Sequence, residues 1–131
     1  MPATPSAMGL HLRLRLWIAE LNSDISILRI FSDYLVELHA KKNIAEVTKG
    51  IDHFKQQFVI LRNEIDELRH DMQLSKMHVA SAARGNKTHA ATHKTGSTDN
   101  QHSLQKRYTV FKKAFNKVKK EFGIFEAKWS D

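Results

Sequence analysis

Cysteine is absent from the 131 residues, so the chain has no disulfide framework and no thiolate to hold a structural zinc ion. Proline is confined to Pro2 and Pro5, and glycine is sparse, so nothing from residue 6 onward forbids long uninterrupted helices. Long hydrophobic runs are missing too. The opening stretch MPATPSAMGLHLRLRLW lacks the apolar core of an export signal, and charges interrupt every later run well short of bilayer length. No membrane segment is therefore expected, and a cytoplasmic location fits the composition. The chain also lacks a Gly-rich phosphate loop, paired inward carboxylates, and a nucleophile with a base and an orienting group. The expectation is a protein that is not an enzyme and carries no cofactor.

Apolar spacing is what the chain does have. Ile44, Val47, Ile51, Phe54, Phe58, Leu61, Ile65, Leu68, Met72, Ser75 and Val79 step by three and four without a slip. The run Leu104, Tyr108, Phe111, Phe115, Val118, Phe122, Phe125 and Trp129 does the same. The spacing predicts an all-α protein: an antiparallel bundle of three long helices with coiled-coil-like seams, at about 10–41, 44–82 and 102–130. A flexible tail 1–9 precedes the single domain, and a flexible polar loop 83–101, ARGNKTHAATHKTGSTDNQ, joins the last two helices. LHLRLRL alternates with period two and fits a short extended arm as well as a helix. HAKKN around Asn43 fits a tight reversal or a continuous bent helix. Gly50 lies off the second seam and marks a bend.

Folding the second and third helices back on each other across the loop aligns their seams. That alignment pairs Met72 with Phe111, Leu68 with Phe115, Ile65 with Val118, Leu61 with Phe122, Phe58 with Phe125 and Phe54 with Trp129. Small Ser75 then stands opposite large Tyr108. Six of the seven phenylalanines fall on these seams, which assigns them to the core rather than to base stacking.

The first helix is different. Leu14, Trp17, Leu21, Ile25, Leu28, Phe31, Leu35 and Leu38 form one stripe, and Ile18, Ile27, Tyr34 and Val36 widen it beyond what two narrow-seamed partners cover. Surplus apolar surface of this kind predicts self-association, with Trp17, Ile18, Ile27, Ile30 and Tyr34 at the interface. The leading expectation is a helical protein–protein interaction or scaffold module that forms a homo-oligomer or binds an unknown protein partner.

Two other features carry chemistry. The stretch ELRHDMQLSKMH, residues 67–78, holds a Glu67-x-x-His70 pair, a spacing that di-iron bundles use twice and inward; here it occurs once and faces outward. Arg69-His70-Asp71 resembles the phospho-acceptor box of sensor histidine kinases over three residues, with Leu74 where that box has asparagine. The resemblance implies His70 as a phosphoryl acceptor. His89 and His93 have the spacing of a metal pair, and His102 follows, but no third fixed ligand stands beside them, so no metal is expected. The net charge of +7 is concentrated at the C-terminal end, where Lys106, Lys112, Lys113, Lys119 and Lys120 form a basic stripe. Such a stripe implies weak, sequence-independent and salt-sensitive nucleic-acid binding as the alternative function.

Overall fold

The computed structural model describes residues 6–83 and 87–130, with side chains outside 82–99. Three helices account for nearly all of it: α1 (Ala7–Lys41), α2 (Ala45–Ala83) and α3 (Lys87–Trp129). Among the described residues there is no strand. Phe31 of α1 meets Phe58 of α2, and Asn22 of α1 meets Arg69, so residue numbers fall along α2 as they rise along α1. Trp17 meets Tyr108 and Phe31 meets Phe122, so α1 and α3 run parallel. The path is up, down, up, an all-α bundle.

Helix boundaries follow from local chemistry. Ser6 caps α1, its Oγ accepting from the Gly9 backbone N–H at 3.0 Å. The helix therefore begins ahead of residue 10, LHLRLRL lies inside it, and of the expected tail only residues 1–5 fall outside the described residues. At the other end the Lys42 N–H closes on the Leu38 carbonyl, and His39 and Lys41 sit where the helix dipole favours positive charge. Residues 42–44 make the reversal, which settles the junction as a break rather than a bend. Ile44 precedes α2 and is exposed; its carbonyl accepts from the Thr48 N–H and hydroxyl.

The expected loop 83–101 is corrected. Backbone from Lys87 onward is helical, which makes α3 43 residues long. The segment has no proline to break a helix, and its sequence supplies no apolar stripe. Periodicity detects burial rather than helicity, so a polar turn of helix leaves no trace in it.

Val47, Ile51, Phe54, Phe58, Leu61, Ile65, Leu68, Met72, Ser75 and Val79 are all buried, as are Leu104, Phe111, Phe115, Val118 and Phe122. The α2–α3 register, however, differs from the seam-counted one by about one turn. Phe122 lies against Phe58 and Phe54, at centroid distances of 5.5 and 5.3 Å, and Phe125 against Phe54 at 5.1 Å. Tyr108 stacks on Trp17 at 5.4 Å. Gly50 supplies the physical reason: a Cβ there would collide with the Phe125 ring, so the missing side chain is the socket that receives it. Phe31 and Tyr34 of α1 close the cluster around Phe122.

Candidate functional site

The five α1 residues expected at a self-interface are divided by the fold. Ile18 is 7% exposed and belongs to the core, and Trp17 lies against Tyr108. Tyr34 meets the Phe122 ring edge-on and hydrogen-bonds the Ser130 hydroxyl, and Ile27 packs half-buried on the core. Ile30 alone of the five is open, 64% exposed. The wide apolar arc is largely consumed inside one chain, because α1 touches α2 on one flank and α3 on the other.

What the fold leaves outward on α1 is a second row. Leu12, Leu16, Ala19, Ser23, Ile27, Ile30 and Tyr34 recur at helical spacing on the side turned away from Leu14, Leu21 and Leu28; Ile27 and Tyr34 are half-buried, with one edge packed on the core, and the other five are exposed. None of the seven is charged. Leu12 and Leu16 are 54% and 60% exposed, and Ala19 and Ser23 are exposed as well. The sequence signal for this row was present as a three-and-four spacing opposite the main stripe, hidden by the stronger stripe beside it.

A separate groove of about 630 Å³ runs between α1 and α2, with no α3 residue in its lining. Ile25, Leu28, Val36, Phe58 and Val59 give it an apolar floor, and Arg29, Asp33, Lys55 and Arg62 its rim. Beyond the rim, the Arg69 guanidinium donates to the Asn22 side-chain oxygen at 2.7 Å and ties the two helices together.

The basic stripe is redrawn as well. Lys112 turns inward: its Nζ donates to Asp24 Oδ2 at 2.8 Å and to Glu20 Oε1 at 3.1 Å, bridging α3 to α1, and it lies over the Phe115 ring. Burial pushes the Asp24 carboxyl above its ordinary range, only partly offset by Lys112. Burial also opposes the Lys112 charge, but the two carboxylates outweigh it and hold the ammonium pKa above its usual value. Asp24 was missed by the sequence reading, although an acid on the buried side of α1 among Leu21, Ile25 and Leu28 is itself a signal of a buried partner. Lys106, Lys113, Lys119 and Lys120 are exposed. Lys119 faces the Asp24 side, whereas Lys106, Lys113, Lys117 and Lys120 share the outer face at steps of seven, four and three. Lys117 thus takes the place in the row that the sequence reading gave to Lys112.

His70 is 72% exposed, and its Nδ1 lies 3.4 Å from an Asp71 oxygen. Asp66, Glu67 and Asp71 surround it in a shallow hollow. Arg107 of α3 reaches the other Asp71 oxygen at 2.8 Å, and that bond is the main reason the Asp71 carboxyl is held below its ordinary range. Among the described residues no three His, Asp or Glu side chains are placed to hold a metal ion. The side chains of His89 and His93 lie outside the described residues; His102 is exposed on α3. No described helix is long and apolar enough to cross a membrane.

Set beside known protein families, curated proteins and solved structures, the chain matches none of them.

Proposed function

We propose that this protein is a non-enzymatic helical interaction module that self-associates through the outer face of α1. One observation carries the reading: an uncharged row on α1 leaves Leu12, Leu16 and Ile30 exposed along a helix whose opposite side is already packed. Exposed leucine and isoleucine side chains aligned on one helix face favour a second protein surface over water. The test is light scattering across a concentration series on protein purified without nuclease, with absorbance followed at two wavelengths across the peak. The expected result is a protein-only dimer or higher oligomer that Leu16→Glu with Ile30→Glu converts to monomer. A wild-type monomer at every concentration overturns the reading.

A second reading has its own observation, the acid-free row Lys106, Lys113, Lys117 and Lys120 on the outer face of α3. It supports weak, sequence-independent nucleic-acid binding, since lysine supplies point charges without base-edge readout and the ring clusters are buried. A peak rich in nucleic-acid absorbance that salt strips away favours it. Phosphotransfer at His70 is supported less, because Asp66, Glu67 and Asp71 repel an approaching phosphoryl dianion.

A further inference from the structure

The outer row of α1 reads the same in both directions. From Leu12 to Tyr34 its steps are four, three, four, four, three and four, with Ser23 at the centre. Laying a second α1 antiparallel on the first with Ser23 over Ser23 brings every other member of the row opposite a member of the row. Leu12 faces Tyr34, Leu16 faces Ile30, and Ala19 faces Ile27, each pair occurring twice. A two-fold interface requires this self-complementarity, since each surface patch meets its own copy.

Volume and charge agree with that register. Ser23 meets its own copy at the centre, where helices pressed together approach most closely, and small Ala19 stands opposite larger Ile27 on either side of it. On one flank of the row stand Arg15 and Asp33, eighteen residues or five turns apart and so on one line of the helix. In a two-fold antiparallel pair the same flank of each helix meets its counterpart, which sets Arg15 of one copy within one turn of Asp33 of the other, twice. Among the described residues neither Arg15 nor Asp33 has an ion-pair partner within its own chain.

From these observations we infer that the occupant of this face is a second copy of the chain, packed as a symmetric antiparallel α1–α1 dimer whose two-fold axis passes through Ser23. The inference rests on the self-association reading and adds to it a direction, a register and a pair of intermolecular ion pairs.

Because the chain has no cysteine, single introduced thiols report on this arrangement without background. Full-length Ser23→Cys is expected to form a disulfide-linked dimer under mild oxidation with copper phenanthroline, since facing small residues bring the two Cα atoms within disulfide reach. Leu16→Cys alone is expected to cross-link at least tenfold more slowly, whereas a mixture of Leu16→Cys and Ile30→Cys chains forms the mixed dimer. Arg15→Asp is expected to raise the dimer dissociation constant about tenfold, a change of ~1.4 kcal/mol per tenfold. Arg15→Asp with Asp33→Arg is expected to restore it. Light scattering that shows a dimer without preferential Ser23→Cys cross-linking overturns the register and leaves self-association standing. A monomer throughout overturns both. Preferential Leu16→Cys self-cross-linking overturns the antiparallel direction, and a charge swap that does not rescue removes the Arg15–Asp33 pairing.

Discussion

The Phe125 ring occupies the space where a side chain at position 50 would begin, so Gly50 and Phe125 lock α2 and α3 into one register. Glycine in a helix interior ordinarily costs about 1 kcal/mol relative to alanine, and Gly50→Ala on a free helix would stabilise it. Here the opposite sign is expected. Phe125 packs on Phe54 and Phe122, at centroid distances of 5.1 and 6.3 Å, so moving its ring away from an added methyl disturbs that cluster. Gly50→Ala is therefore expected to destabilise the protein by about 1–3 kcal/mol in urea denaturation, the range typical of overpacking. Combining it with Phe125→Leu tests the cause. A coupling energy near zero in that double-mutant cycle would show that the ring is not what the added methyl meets.

The buried Asp24 and its Lys112 partner give a prediction with a pH signature. A carboxyl whose folded-state pKa is raised contributes stability that is fully present below its ordinary value of 3.8 and is lost as pH rises through the folded value. Removing the ammonium with Lys112→Met raises the folded value further, so the loss on going to neutral pH grows. Lys112→Met is expected to cost about 2 kcal/mol at pH 7. That is below the ~3–5 of a fully buried broken pair, because the Lys112 side chain keeps 21% of its surface in water. At pH 4 the deficit shrinks. Asp71 has the opposite sign, since its pKa is lowered chiefly by the Arg107 bond: its stabilisation is present above 3.8 and is lost as pH falls through the folded value. In urea melts, Arg107→Met therefore loses its penalty only at strongly acid pH. A Lys112→Met deficit that was constant from pH 7 to pH 4 would be incompatible with a buried, charged Asp24.

How much of this was legible in the sequence depends on what each element buries. The seams of α2 and α3 were readable because nearly every third or fourth residue is apolar, and Val47 to Val79 are buried as that spacing predicts. The register was not readable, because the decisive feature is an absence, the side chain that Gly50 lacks, and counting seam positions gives an absent side chain no weight. The first fifteen residues of α3 escaped because a polar helix carries no periodicity. What can be compared for α1 is exposure alone. Ile30 is exposed as its place outside the main stripe predicts, but a single helix's pattern cannot say which of its flanks the other helices will cover, so Trp17 and Ile18 were assigned outward and point in. Lys112 was misassigned for the same reason, since its acid partners are on a helix more than eighty residues away in sequence.

Among the described residues, the buried side chains of Ser75 and Gln101 lie in the core without a hydrogen-bond partner. Ser75 is 2% and Gln101 5% exposed, and neither the Ser75 hydroxyl nor the Gln101 amide has a hydrogen bond among the described residues. A buried polar group left without a partner costs about 1–3 kcal/mol. Gln101→Leu, which keeps much of the volume and removes the amide, is expected to raise stability by about 1 kcal/mol in thermal and urea melts, and Ser75→Ala by less. A Gln101→Leu variant less stable than wild type by 1 kcal/mol or more would mean the amide has a partner that matters.

The row on α3 separates two kinds of lysine, and that separation is testable by charge reversal. Lys106, Lys113, Lys117 and Lys120 are exposed, and among the described residues none of them has an ion-pair partner, whereas Lys112 is held by Glu20 and Asp24. Replacing the four outer lysines with glutamate removes no interhelical contact and should leave the melting transition close to wild type. It also replaces a positive line by a negative one, so any binding to single-stranded nucleic acid, measured by fluorescence anisotropy at low salt, should be abolished. In the wild type the logarithm of the affinity should fall with the logarithm of salt concentration at a slope of no more than about −3, as four phosphate contacts on a single strand allow. Lys112→Glu should do the reverse, disrupting the fold by setting a third carboxylate against Asp24 and Glu20. If the quadruple variant bound as tightly as wild type, the outer lysines would be a solvated face and nothing more. If it also unfolded, the row would be holding the bundle together rather than facing a partner.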